Sequence, residues 1–202
     1  MYLHIKRILD FILALICLVL LCPVFVLLFI LIKIDSKGPI FFSQKRVGKN
    51  KNTFSIIKFR TMRIDTPHDI PTHMLKDPEQ YITRAGAFLR RSSLDELPQL
   101  FNILRGDMSF VSPRPALWNQ YDLIAERDKY IGRYGLTPNQ IRPGLTGWAQ
   151  INGRDELRID EKAEYDGEYV AKMSFGFDLK CLCLTVLKVF KREGIVEGET
   201  SK

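Results

Sequence analysis

Asp95 and Glu96 stand side by side in "RRSSLDELPQLFNIL", Arg90 to Leu104, directly behind two arginines and just ahead of a proline. Adjacent carboxylates can serve as a nucleophile and as hard-oxygen ligands for a divalent cation. Lys58 and Arg60 in "IIKFRTM" precede them; Arg114 in "GDMSFVSPRP" follows, then Arg142 and Arg154 in "IRPGLTGWAQINGR". Arginines on loops stiffened by proline and glycine suit phosphate, because the guanidinium fork binds it through two parallel bonds and keeps its charge. An acidic pair among several such loops points to chemistry on a phosphorylated substrate. A structural reading stands beside it: Asp95 caps a helix beginning near Pro98 by accepting the N–H of Leu97 or Gln99, and Glu96 complements the helix dipole. The two readings are compatible, since a carboxylate at a helix N-terminus is held ionised.

The elements that must position these groups are legible from periodicity. Leu97, Leu100, Phe101 and Leu104 recur at helical spacing, so residues 96–104 form a helix with one inward face. Similar patterns cover 86–91, 116–131, 161–172 and 178–192. Turns at Gly38-Pro39 and Gly48-Lys49-Asn50 bracket apolar alternation and predict a hairpin with strands near 40–44 and 53–59. These patterns support a mixture of helices with a small hairpin. A polar loop from Arg63 to Thr83 holds His68 and His73, which lack a third ligand and read as loop residues. Four cysteines without a CxxC spacing read as reduced packing residues.

One segment places the chain at a membrane. Phe11 to Ile32, "FILALICLVLLCPVFVLLFILI", carries no charge, and a straight helix of that length is about 33 Å long against about 30 Å of bilayer hydrocarbon. Lys33 ends it without a small-x-small cleavage site, which argues against a signal peptide. Pro23 sits almost at its middle and favours a kink. The halves, Phe11–Cys22 and Val24–Ile32, are each about one leaflet deep, so the composition admits a kinked spanning helix or a hairpin that enters and leaves by one face. Basic residues flank both ends, with an excess after the segment that places the main domain in the cytoplasm. The net charge of +7 suits anionic lipid or phosphorylated substrates. No zinc spacing, RNA-binding aromatic motif or helix-turn-helix pattern supports nucleic acid. The last helical pattern pairs an apolar stripe (Leu179, Leu182, Cys183, Val186, Leu187, Phe190) with Lys180, Lys188, Lys191 and Arg192, which fits a headgroup-plane helix or a core helix.

"KFRTM", "SLDELPQLFNIL", "GDMSFVSPRP" and "RPGLTGWAQINGR", in this order behind one apolar segment, resemble the bacterial sugar transferase family, and within it the small monotopic phosphoglycosyl transferases that are PglC-like. The likeness runs from about Lys6 to Arg192. It implies transfer of a sugar 1-phosphate, of the N-acetylated hexosamine type, from a UDP-sugar to undecaprenyl phosphate, with release of UMP and a requirement for Mg²⁺. Asp95 would be the nucleophile, forming a phosphosugar intermediate, and Glu96, with Asp95, the metal ligand. Lys58, Arg60, Arg90, Arg114, Arg142, Gly144, Thr146, Asn152 and Arg154 would bind phosphate and nucleotide. The family also implies an α/β fold, mostly helical with a small β-hairpin, in a monotopic protein with a re-entrant helix-break-helix at residues 1–34, broken at Cys22-Pro23. A catalytic domain at 35–192 with amphipathic surface helices and a flexible tail at 193–202 would follow. Cys22 and Ser112 stand where the family more often has serine and glycine. Trp118 or Trp148 would lie near the headgroup plane or in the core. The expected setting is the cytoplasmic face of the bacterial inner membrane, with membrane lipids as partners, no nucleic acid, and room for a homo-oligomer. A UDP-sugar hydrolase and a non-enzymatic basic membrane adaptor are the competing readings.

Overall fold

Apolar content sets the first element, α1, an uninterrupted helix from Tyr2 to Asp35 that is long and apolar enough to cross a membrane. It belongs to a computed structural model that describes residues 1–66, 78–153 and 156–191. Tyr2, Lys6, Asp10, Ala14, Phe25, Leu28 and Ile32 are buried, and half-buried Leu18 and Leu21 bridge the middle, so one face packs inward along the whole helix. The opposite face is bare: Ile8, Val19, Leu20, Leu27 and Ile34 are all more than half exposed. A continuous apolar face of that size is stable against lipid and not against water, so α1 is membrane-associated. The expected break is not a gap in the helix, since Cys22 and Pro23 lie inside α1 on its exposed side. Proline removes one donor there, while Leu21 and Phe25 keep the inward face packed on either side of it.

Behind α1 come β1 (Phe41–Val47) and β2 (Thr53–Phe59), antiparallel from Phe41↔Phe59 to Val47↔Thr53. The hairpin docks on the second half of α1 through aromatic rings, with Phe25–Phe59 centroids 5.4 Å apart, Phe29–Phe41 5.5 Å and Phe41–Phe59 5.6 Å. Next are α2 (Arg84–Arg91) and α3 (Gln99–Arg105). The Thr83 hydroxyl caps α2 by accepting from Gly86 N, and Asp35 at the end of α1 accepts from Ala85 N. Gly86 lets α2 touch the strand exit, since a Cβ there would lie 1.9 Å from the Thr61 carbonyl. Arg7 of α1 donates to Ile103 O and Leu104 O and so caps α3, which ends at Gly106 in the left-handed region.

The rest of the chain forms β3 (Ser109–Val111), α4 (Tyr121–Arg127), β4 (Gly144–Thr146), α5 (Trp148–Ile151), α6 (Ile159–Lys172) and α7 (Phe175–Lys191). β3 and β4 pair in parallel, Ser109↔Gly144 and Val111↔Thr146. The architecture is thus mostly helical with the expected hairpin and a second small sheet that the sequence does not predict, and the helix predicted over 116–131 contracts to α4. Residues 115–117 are taken by the hairpin instead: Val47 N donates to Ala116 O at 2.9 Å and Arg46 bridges Leu117. On α7, Cys181, Leu182 and Leu184 face the core while Leu179, Cys183, Val186 and Leu187 face outward, so most of the predicted stripe is its uncovered side. The cysteines are free. Trp148 is half-buried against Phe177, and Trp118 is exposed with Lys45 over its ring. His68, His73 and the predicted tail lie outside the described residues.

Candidate active site

Four separate elements converge on the acidic pair. α2 ends at Ser92, and Ser93 takes a left-handed conformation (φ 56°), which turns the chain into a short 3-10 turn, Leu94–Glu96, carrying Asp95 and Glu96. A non-glycine residue in that region is uncommon, and here it aims the dyad back toward the hairpin. α3 starts only at Gln99 with Pro98 in the cap position and no side-chain cap bond. Asp95 therefore does not cap the helix, contrary to the structural reading of the sequence, because the 3-10 turn separates it from α3.

Lys58 reaches in from β2, its Nζ 2.8 Å from Glu96 Oε1 and 3.7 Å from Asp95 Oδ2. Arg114, in the segment after β3, donates through Nη2 to the same Glu96 Oε1 at 2.7 Å. Arg90 of α2 donates to Thr61 Oγ1 at 2.9 Å and adds its charge near Asp95. Both carboxylate side chains are 12% exposed. Burial pushes the Asp95 carboxyl above its ordinary value, and the Glu96 charge adds to that against Lys58, Arg90 and Arg114. Burial opposes ionisation of Glu96 too, but Arg114 and Lys58 outweigh it and hold Glu96 well below the usual carboxylate range. Adjacent acids driven in opposite directions take different roles. Lys58 and Arg114 thus favour the anion of Glu96, whereas burial and the Glu96 charge disfavour that of Asp95.

Of the residues marked in the sequence, Lys58, Arg90, Asp95, Glu96 and Arg114 meet here. Arg60 does not: it is buried, and its guanidinium donates to Ser36 O, Lys37 O and Ser36 Oγ at the end of α1. Arg142 lies at the far end of α3 from the dyad, where its Nε donates to Gly106 O at 2.8 Å. Thr146 bonds Thr185 of α7 at 2.7 Å, and Asn152 bonds Trp148 O within α5. Arg154 lies outside the described residues. Gly144 supports the site from behind: its N–H donates to Pro113 O at 2.8 Å, and a Cβ there would stand 2.3 Å from Ser112 N. Gly144→Ala is expected to cost about 3 kcal/mol by overpacking, read as a fall in melting temperature.

Asn102, Arg127 and Asp166 went unmarked in the sequence. Asn102 is fully buried; its Oδ1 accepts from Ile57 N and its Nδ2 donates to Ser55 O, so it pins β2 next to Lys58. Asp166 had a signal: it falls on the inward line of α6 with Ala163, Gly167 and Val170. A carboxylate on an apolar stripe needs a partner.

The sequence model of the family described as bacterial sugar transferase matches residues 1–192. The uncharacterized sugar transferase EpsL of Bacillus subtilis (strain 168) is 41% identical over 176 residues, covering 86% of this chain and 82% of that protein. A UDP-glucose:undecaprenyl-phosphate glucose-1-phosphate transferase of Xanthomonas campestris pv. campestris is 40% identical over 189 residues, 91% of this chain but 38% of that protein. A UDP-N-acetylgalactosamine-undecaprenyl-phosphate N-acetylgalactosaminephosphotransferase of Aeromonas hydrophila is 37% identical over 195 residues, 94% of this chain and 43% of that one. The chain thus spans about two fifths of the relatives named for a substrate. With all four motifs in place and the family match running from Met1 to Arg192, the chain belongs to the bacterial sugar transferase family.

Proposed function

We propose that this protein transfers a sugar 1-phosphate from a UDP-sugar to undecaprenyl phosphate by two displacements through Asp95. The observation that carries the reading is the buried pair of oppositely tuned carboxylates, with Lys58 and Arg114 both on Glu96. In the first displacement an Asp95 carboxylate oxygen bonds to the β-phosphorus of the donor, the bridging P–O bond breaks, and UMP leaves with that electron pair. In the second, a phosphate oxygen of the lipid bonds to the same phosphorus and the Asp95–phosphorus bond breaks, restoring the carboxylate. Lys58, Arg90 and Arg114 offset the charge of the phosphates that an anionic nucleophile must approach. Two adjacent hard carboxylates, with substrate phosphates filling the remaining positions, suit Mg²⁺ rather than zinc. Glu96 and Asp95 would hold the ion, which would neutralise charge on the phosphates.

The position of α1 supports a monotopic arrangement, and the excess of basic residues after it supports the cytoplasmic face of the inner membrane. Tyr2 and Lys6 at one end bond Asp178, while Lys33 and Asp35 at the other bond Gly38 O and Ala85 N. A domain that holds both ends of a helix favours α1 lying against one side of the membrane over crossing it. The bare apolar sides of α1 and α7 then meet lipid, with the dyad near the headgroups where the acceptor phosphate lies. Relatives named for glucose and for N-acetylgalactosamine support a UDP-hexose as the donor. The N-acetylated hexosamine implied by the motifs has the Aeromonas protein on its side and the Xanthomonas protein against it.

The test is wild-type protein in nanodiscs with Mg²⁺ and a panel of both donor types, without lipid acceptor. The expected result is about one equivalent of UMP per enzyme with a sugar-phosphate gain in intact mass. Continuous UMP release without acceptor would instead identify a hydrolase. Silence with every donor, with or without undecaprenyl phosphate, would leave the adaptor reading.

A further inference from the structure

Arg127 ends α4 and Asp166 lies within α6, and their side chains are 5% and 1% exposed. Arg127 Nε and Nη2 both donate to Asp166 Oδ2, at 2.8 and 2.6 Å, and Nη2 also donates to the backbone carbonyl of Arg114 at 2.9 Å. Packing between α4 and α6 does not need this pair, because Ala116, Leu123 and Ala163, with Ile124, Tyr130 and Ile159, already form an apolar cluster there. An ion pair this deep gains little over apolar side chains of the same volume. What it does uniquely is hold one carbonyl.

That carbonyl belongs to the residue whose guanidinium meets Glu96. Arg114 sits between Pro113 and Pro115, so the chain around it lacks two backbone donors and the conformation of Arg114 is narrowed. Each carbonyl of the segment is held from a different place: Pro113 O by Gly144 N, Arg114 O by Arg127, Pro115 O by Arg46 and Ala116 O by Val47 N. The Arg127 fork does two jobs with one planar group, which lysine cannot copy. We propose that Arg127 and Asp166 are positioning residues that fix the Arg114 main chain and so set its guanidinium against Glu96. The proposal rests on the transferase reading above and adds to it the support on which Arg114 depends.

The test is a double-mutant cycle on the full chain in nanodiscs, read as UMP release from a donor the wild type uses. Asp166→Asn and Arg127→Lys are each expected to lower kcat/KM about 10- to 100-fold, but less than about twofold when Arg114→Ala is already present. Losses that multiply in the Arg114→Ala background would show general loosening and overturn the proposal. A second readout avoids catalysis: the coupling between Arg114→Ala and Glu96→Gln in thermal melting should vanish once Asp166 is Asn or Arg127 is Lys. Persistence of that coupling overturns the positioning role as well. If wild type releases no UMP from any donor, the transferase reading fails separately and the melting cycle alone decides.

Discussion

Asp95→Asn is expected to abolish UMP release, by at least about 1,000-fold, while leaving the melting temperature unchanged or a few degrees higher. The loss of activity follows from the nucleophile, since an amide cannot form the phosphoryl bond. The stability follows from the site. Asp95 is buried beside the Glu96 charge with its nearest cation, Lys58, at 3.7 Å, and its carboxyl is pushed above its ordinary value by that burial. A carboxyl whose folded value is raised binds its proton more readily folded than unfolded, so its contribution to stability grows as pH falls through the folded value and is a cost at neutral pH. Asn removes the charge and keeps the shape. Glu96→Gln should do the opposite, because Lys58 and Arg114 both lose their anion. The Glu96 value is depressed, so its stabilisation is present above the unfolded value and is lost as pH falls through the folded one. Melting curves of both variants at neutral and acid pH, beside a UMP assay, check the pair. An Asp95→Asn protein that keeps activity within about tenfold would remove Asp95 from the nucleophile's place, and one that melts well below wild type would overturn the view of its charge as a cost at neutral pH. The acid limb of kcat/KM should likewise lie above the ordinary aspartate range.

How much of this is legible in the sequence depends on range. Alternation and two turns are local signals, so β2 is legible to the residue and β1 to within three, and α6 and α7 are legible because their periodicity runs over several turns. β3 and β4, with three residues each, and the four-residue α5 are too short to show a period, and they exist because each pairs with a distant partner. That the dyad, Lys58, Arg90 and Arg114 come together is legible from residue type in ordered motifs. Arg60 and Arg142 look the same in sequence, but tertiary structure assigned them to carbonyls at the ends of α1 and α3. No sequence rule separates an arginine that caps a distant helix from one that meets phosphate. Asn102, Arg127 and Asp166 were missed because they act one layer behind the reacting groups. A polar residue on an apolar stripe is the one trace such support leaves in the chain.

The same trace marks Asp178, whose substitution by alanine is expected to be the most damaging change outside the dyad. In the first turn of α7, its Oδ2 accepts from Tyr2 OH and Lys6 Nζ at 2.7 Å each, and its Oδ1 accepts from Tyr169 OH at 2.8 Å. Tyr169 OH also lies 2.8 Å from Val111 O, at the end of the strand that leads to Arg114. Asp178→Ala leaves the Lys6 cation, 11% exposed, without its partner, at a cost of about 3 to 5 kcal/mol, and leaves the two phenols without this acceptor. For a domain of this size that is roughly a 10 °C fall in melting temperature. The first turns of α1 should then loosen from the domain, and proteolysis near the N-terminus in detergent should quicken. The companion variant Lys6→Met with Asp178→Leu separates charge from packing, because an apolar pair of similar volume needs no partner and should recover most of the lost stability. A double variant as unstable as Asp178→Ala would mean that the network matters through its geometry, with Tyr169 and Val111 O as its centre. Recovery of stability with continued loss of UMP release would locate the remaining function in that same bond, between the membrane helix and the strand that carries Arg114 to the dyad.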